Sequence, residues 1–426
     1  MIIIVITSLL IFLILGVPVC FAIGLSGILA LIFGSEVPTF MAVQQMVRGM
    51  NSFPMMAGPF FILAGEILGA ATLSTRIFDF CRSLVSWVKG GYGFVCVTAS
   101  IIFAGISGSG AASMNAVGRL SMPVLKKAGY KSPFIAGVIA GCGAIDPIIP
   151  PSVTMVVYGS LTGFSIGKLF VGGIVPGLII ALLLMLMCFV YAVRHNVDNR
   201  QGKFDVKGCL AKFKDAFFAL FAPIIIIGGV ISGVFTATEA GVVACVYSLV
   251  CGLFIYRTIG LRDLVPIFKR ASSSSAMLLM LMGISNIYSY IFARENVGAT
   301  IAEFLTSVSA NPTVIVATII GIMVVIGFFV ETVAAMVVVL PMVYPLVSSL
   351  GIDLLNFGVL FSISTVIGGL TPPVGLYLFL SMDITKSSFS EVTPHMFVVS
   401  GILVFVMVLM LFFPSISSFL PNLLMS

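Results

Sequence analysis

Apolar runs of about twenty residues recur from one end of the chain to the other, separated by short polar interruptions. A helix of that length spans a bilayer core, so the pattern predicts an all-α, polytopic membrane protein. No polar stretch is long enough for a separate soluble domain. The opening run "MIIIVITSLLIFLIL" has no basic leader and no small-residue cleavage site, and reads as a retained span. Residues 1–33 read either as two short spans bent at Gly16-Val17-Pro18, with the N-terminus outside, or as one long tilted helix.

Two interruptions differ from the rest. "GCGAIDPIIPPSV" (Gly141 to Val153) and "GGLTPPVG" (Gly368 to Gly375) put prolines and glycines, and in the first a carboxylate, inside apolar runs. Pro147, Pro150 and Pro151 lack backbone donors and stop a helix, while glycine lets the backbone unwind. Unpaired backbone groups at membrane depth are tolerated only where they line a cavity or bind something. The pattern therefore predicts two broken helices.

The two breaks are copies. A shift of 222 positions lays Gly105 on Gly327, Ala112 on Ala334, Met114 on Met336, Pro123 on Pro345, Gly129 on Gly351 and Pro150-Pro151 on Pro372-Pro373, without a gap. Upstream the shift is 217, with Gly16 and Gly24 on Gly233 and Gly241. Internal repeats with broken helices are a recurring design of secondary transporters.

Charge orients the halves. Arg194, Arg200, Lys203, Lys207, Lys212 and Lys214 fill one connector, and Arg257, Arg262, Lys269 and Arg270 fill another. The positive-inside rule puts both on the cytoplasmic face. Residues 217–256 then form two spans turning near "TATEAG", and 272–292 crosses outward before the amphipathic "RENVGATIAEFLTSV". Pro312 to Ser349 reads as a re-entrant hairpin with its tip at "FFVETVAAM". "STRIFDFCRSLVSWVKGG" is a cytoplasmic amphipathic arm, and "GISGSGAAS" is the tip of a hairpin entering from the cytoplasm. The expected fold is thus an inverted repeat with two re-entrant hairpins and two broken helices, an elevator-type architecture. Its parts are 1–90 (first scaffold spans and arm), 91–193 (first hairpin and broken helix), 194–215 (basic connector), 216–308 (second scaffold spans and arm) and 309–426 (second hairpin and broken helix).

Composition excludes other classes. With 60% hydrophobic and 8% charged residues, against about 25% charged in soluble domains, the chain is no soluble globule. The net charge of +6 is topological, and no nucleic-acid partner is expected. Eight cysteines without a CxxC pair, and only His195 and His395, suggest neither a disulfide frame nor a metal or catalytic cluster.

The chemistry is expected at the tips and breaks. Freed carbonyls suit a hard cation such as sodium, and half-helix N-termini favour an anion. Candidate ion ligands in the first half are Ser107, Gly108, Ser109, Gly110, Gly141, Gly143 and Asp146. In the second half they are Gly327, Glu331, Thr332, Ser364, Thr365, Gly368 and Thr371. Candidate substrate contacts are Ser107, Ser113, Asn115, Pro150, Ser152, Thr332 and Pro372. Helix–helix packing is the competing use of such small residues. Intramembrane carboxylates are costly, so Asp146 and Glu331 are expected to hold a cation, take a proton or cap a half-helix. Glu66 reads as a structural hydrogen bond or subunit contact, and Arg119 as neutralising a helix end.

"FPMMAGPFFILAGEIL", "FAGISGSGAAS", "IDPIIPPSVTMVVYG", "FSIGKLFVGGIVPGLI" and "GGLTPPVGLYLF", in this order over nearly the whole chain, resemble the large membrane subunit of tripartite ATP-independent periplasmic (TRAP) transporters. The resemblance implies a sodium-driven elevator importer in the bacterial inner membrane, not an enzyme. It implies a small four-helix membrane subunit and a periplasmic substrate-binding protein as partners. It further implies a carboxylate cargo, with sialic acid favoured over C4-dicarboxylates. Members of the family commonly carry an acidic residue where Ser113 stands and a small one where Asp146 stands, so carboxylates have moved within this site. A stand-alone sodium/anion symporter is the main rival. A channel fits paired inverted hairpins less well, and an intramembrane aspartyl enzyme would need signature motifs that are absent.

Overall fold

Glycine, proline and capping residues cut the apolar chain into helices. The computed structural model describes residues 1–34, 37–197, 204–372 and 375–425, with Val308 described in its backbone only. The first half opens with α1 (Ile2–Ile14) and α2 (Val19–Gly34), which turn at Gly16 (φ +76°) and pack on each other. At about 1.5 Å per residue both fall short of a bilayer core of about 30 Å. Of the two expectations for this stretch, the two-helix one holds. α3 (Phe40–Met50) meets α4 (Ala57–Ala70) at a 64° bend, and the arm α5 (Leu73–Val85) buries Leu73, Ile77, Phe78 and Cys81 along one face.

The first hairpin consists of α6 (Gly91–Ser107), the one-turn α7 (Gly110–Ser113), a π-helical turn at Met114–Gly118, and α8 (Arg119–Lys127). The first broken helix is α9 (Ser132–Ile145) plus α10 (Val153–Thr162), followed by α11 (Ile166–Arg194). The second half repeats this order. α12 (Val206–Ile231) and α13 (Ala237–Val250) turn where expected, because Thr236 and Glu239 form a capping box: the Thr236 hydroxyl accepts the Glu239 N–H at 3.3 Å and Glu239 Oε2 accepts the Thr236 N–H at 2.8 Å. α14 (Leu261–Arg294) and the arm α15 (Val297–Val308) lead to the second hairpin, α16 (Pro312–Gly327) and α17 (Thr332–Ser349). α18 (Leu354–Leu370) and α19 (Leu376–Thr385) are the second broken helix, and α20 (Phe389–Phe412) and α21 (Ser415–Leu424) end the chain. Six helices among the described residues are long and apolar enough to cross a membrane, or up to eight if two bent pairs each count as one span.

Both basic connectors are shorter than the sequence suggests. α12 starts inside 194–215, so Lys207, Lys212 and Lys214 ride on its first turns, and Asp205 caps it by accepting the Lys207 N–H at 3.1 Å. Likewise Arg262, Lys269 and Arg270 lie on the start of α14. Charge marks the membrane boundary, but it does not stop a helix. Arg200 and Lys203 lie outside the described residues.

Helices α4, α13 and α14 pack together, with α3 on α14 and α5 on α12. A second group forms where α9 packs on α19, α10 on α17 and α16 on α18, so each half contributes to the other's surroundings. All cysteines but Cys209 are buried in these cores. Glu66 finds its partner across the first group, accepting from Arg270 Nε at 2.7 Å. The arginine side chain is 55% exposed, and exposed pairs are worth roughly 0–1 kcal/mol. Glu66→Gln is therefore expected to leave the thermal unfolding midpoint in detergent within about 2 °C of the parent, and a drop several times larger would mark the pair as a structural anchor.

Candidate functional site

The two hairpin tips and two helix breaks converge, and the first tip is the more polar. Ser107 ends α6 and Gly108 follows with φ +62°, a left-handed turn that glycine adopts without strain. The turn brings the tip onto the first break. The Gly108 carbonyl accepts the Val153 N–H at 3.3 Å, and a side chain on Gly108 would run into the Pro151 carbonyl. Gly110 and Gly143 approach just as closely: a Cβ on Gly143 would lie 3.2 Å from the Gly110 carbonyl oxygen.

Asp146, fully buried at the end of α9, is the centre of this contact. Ser107 Oγ donates to its Oδ2 and Ser113 Oγ donates to its Oδ1, each at 2.7 Å. Both sides of the hairpin tip thus hold one carboxylate. The 222-residue shift places Phe329, Ala335 and Gly368 at the corresponding positions of the second half. Among the described residues the second tip has no counterpart of this polar cluster.

The second tip is built differently. Glu331 caps α17, with Oε2 accepting the Val333 and Ala334 N–H groups at 3.0 and 3.2 Å. Of the roles expected for it, capping is the one seen. Gly327 lies backbone to backbone on Gly368 of α18. Ser364, Thr365 and Thr371 donate to carbonyls of their own helix, at Phe361, Ser362 and Ile367, over 2.5–2.8 Å. Their protons are used locally and their oxygens keep lone pairs.

A cavity of about 400 Å³ lies between the tips. Gly108, Ser109 and Gly110 of the first tip line it, with Pro147 from the break and Glu331 and Thr332 from the second tip. The starts of three helices open onto it: Val153 and Thr154 of α10, Thr332 and Val333 of α17, and Leu376 and Tyr377 of α19. Helix starts carry partial positive charge, although here Glu331 already accepts the Val333 and Ala334 N–H groups and the Gly108 carbonyl the Val153 N–H. No lysine or arginine stands among the described lining residues, so backbone dipoles and hydroxyls would have to meet an anion there. The opposite wall is Ile62 of α4 and Ser274, Met277, Leu278 and Leu281 of α14.

Several candidates lie elsewhere. Asn115 bonds to the Ala111 carbonyl and to Arg119 Nε, and lines a separate crevice beside Glu66 and Arg270. Its place on the returning arm turns it away from the cavity. Gly141 faces Leu184 and Val399, a helix-packing contact. Ser152 is buried as the cap of α10, accepting the Met155 N–H at 3.2 Å and donating to the Pro147 carbonyl at 2.6 Å. Pro150 is buried in the break and Pro372 is half-buried at the end of α18, neither among the lining residues. Pro373 lies outside the described residues. Arg119 opens α8 and reaches the Asp383 carboxylate at 4.0 Å near the end of α19. Sequence reasoning missed Tyr377, Thr154 and Ser274. Tyr377 sits in the quoted "GGLTPPVGLYLF", and Ser274 belongs to "SSSS", an unusual polar run in a membrane helix.

Comparison with known proteins bears on what this arrangement does. Residues 6–416 match the family described as "Tripartite ATP-independent periplasmic transporter, DctM component". The sialic acid TRAP transporter large permease protein SiaM of Vibrio cholerae is 34% identical, over 96% of this chain and 95% of its own. The C4-dicarboxylate TRAP transporter large permease protein DctM of the same organism is 33% identical, over 97% and 95%. Among solved structures the Alcanivorax borkumensis YdaH transporter superposes with a TM-score of 0.64 over 87% of each chain at 14% identity, a likeness of fold.

Proposed function

The chain belongs to the DctM family of tripartite ATP-independent periplasmic transporters, a multi-pass permease subunit of a secondary transporter in the bacterial inner membrane, and from that premise we propose that it couples inward sodium movement to import of an organic carboxylate. The observation that carries the reading is Asp146, a buried carboxylate held by both sides of a hairpin tip next to a cavity faced by three helix starts. A carboxylate with hydroxyls and carbonyls suits a hard cation, and the helix starts suit an anion. Sodium near Asp146 would hold the first tip on its break and so complete the cavity wall before the anion binds.

Alternating access is assigned to the hairpins and broken helices, moving as one body against α3, α4, α13 and α14. The cavity lies on the boundary between these groups, so such a movement would carry its contents past the Ser274–Leu281 face. A small four-helix membrane subunit would hold the scaffold, and a periplasmic binding protein would deliver the cargo. Sialic acid is the first cargo to try and C4-dicarboxylates the next, since relatives named for each are equally similar to this chain.

The test is uptake of radiolabelled sialic acid, and then of a C4-dicarboxylate panel, into proteoliposomes with the two partners present or omitted and with sodium or potassium outside. Uptake is expected to require sodium and the binding protein together. Accumulation with potassium alone would refute the sodium coupling, and accumulation without the binding protein would favour a stand-alone symporter.

A further inference from the structure

A second large cavity, about 580 Å³, lies far from the tips, between the ends of α9, α11 and α20. It has two unlike parts. Leu186 and Val190 of α11 and Val398 and Ile402 of α20 form an apolar channel. Lys131, Arg194, His195 and His395 gather at one end of it. That end is the start of α9, the end of α11 and the second turn of α20, which the positive-inside rule places at the cytoplasmic surface.

Stacked rings line the basic end. Tyr191 stacks on Phe134 at 3.6 Å between ring centroids and on His195 at 4.1 Å, with His395 edge-on to Phe134 at 5.6 Å. Neither Lys131 nor Arg194 has an ion-pair partner among the described residues. No acidic residue lines the cavity among the described residues, and Glu391, one turn before His395, is held by Ser388 at 2.6 Å. Cations left unpaired over a groove of exposed aliphatic side chains describe one kind of occupant. It must be anionic at the membrane surface and apolar below it.

We propose that this groove binds an anionic glycerophospholipid, its phosphate against Lys131, Arg194 and His195 and an acyl chain along Leu186, Val190, Val398 and Ile402. Basic pockets between transmembrane helices on the cytoplasmic side are chemically suited to such headgroups. Because α9, α11 and α20 pack on one another, the lipid would stay with these helices whatever the neighbouring ones do.

Native mass spectrometry of the full-length chain in detergent tests this, with phosphatidylglycerol and phosphatidylcholine of matched acyl chains as probes. The parent is expected to retain phosphatidylglycerol in preference by about thirtyfold, from roughly fivefold per basic residue at the site, and Lys131→Gln/Arg194→Gln to lose most of that preference. Equal retention of both lipids by the parent, an unchanged preference in the double variant, or displacement of the lipid by inorganic phosphate would overturn the proposal. A photoreactive phosphatidylglycerol supplies a readout that needs no variant. Its cross-links should fall on α11 between Leu183 and Val190 and on α20 between Val398 and Ile402, and cross-links spread over other helices would overturn it equally.

Discussion

Asp146→Asn is expected to raise the sodium concentration for half-maximal uptake by about 10- to 100-fold while leaving the protein folded. Asparagine keeps the shape of the side chain and can still accept from one serine, but it removes the charge a cation would meet. Its amide also offers donors to Ser107 and Ser113, whose hydroxyls already donate at 2.7 Å. A hydrogen bond to a charged group contributes roughly 1.5–3 kcal/mol, and each 1.4 kcal/mol is tenfold in an equilibrium constant. Sodium titration of uptake is the measurement, paired with thermal unfolding in sodium and in potassium. For the parent, sodium should raise the unfolding midpoint, because a ligand of the folded state stabilises it. In the variant that rise should vanish at the same salt. A variant with parental sodium dependence in both assays would make Asp146 a structural anchor only and would remove the main support for the ion site.

The architecture was legible because breaks in a membrane helix have few explanations. Two proline-rich interruptions, one ungapped repeat and two clusters of positive charge suffice to place α9/α10, α18/α19 and both hairpins. The asymmetry of the site was hidden. A repeat suggests that both tips work alike, and only contacts in three dimensions reveal that Asp146 binds the first hairpin while Glu331 spends Oε2 on capping α17. Asn115 lies in the π-helical turn that follows α7 in the hairpin's returning arm, and a π turn rotates residues away from the face that a regular helix would give them. Tyr377 and Ser274 were overlooked since a tyrosine or serine in a membrane helix serves packing as readily as binding.

The halves thus use one sequence pattern to dock a hairpin on a broken helix in two ways. In the first half the room beside the tip is filled by a side chain, and hydroxyls reach it. In the second half the corresponding residue is Gly368, and the backbones close directly. The first way depends on a charge that an ion or proton could modulate. The second depends on the absence of atoms.

Gly368→Ala should therefore abolish transport through sterics alone, reducing uptake more than tenfold at every sodium concentration. A Cβ there would lie about 2.6 Å from the Gly327 carbonyl oxygen, and closer still to other backbone atoms of that residue. Neither partner is the end of a flexible chain, so relief requires moving the second tip off α18. Overpacking a tight core typically costs 1–3 kcal/mol even when side chains can adjust, and here the interface itself must open. Gly327→Ala should behave alike, since its Cβ would come within 2.9 Å of Gly368 Cα. The double variant should not rescue either single one, because both new methyl groups point into the same gap. Gly321→Ala and Gly401→Ala are the controls, with no heavy atom within 4 Å of the added carbon. Uptake and unfolding midpoint measured on all five proteins separate the explanations. Loss confined to positions 327 and 368 marks backbone contact as the constraint, whereas equal tolerance at 321, 368 and 401 would mean that the second tip is held some other way.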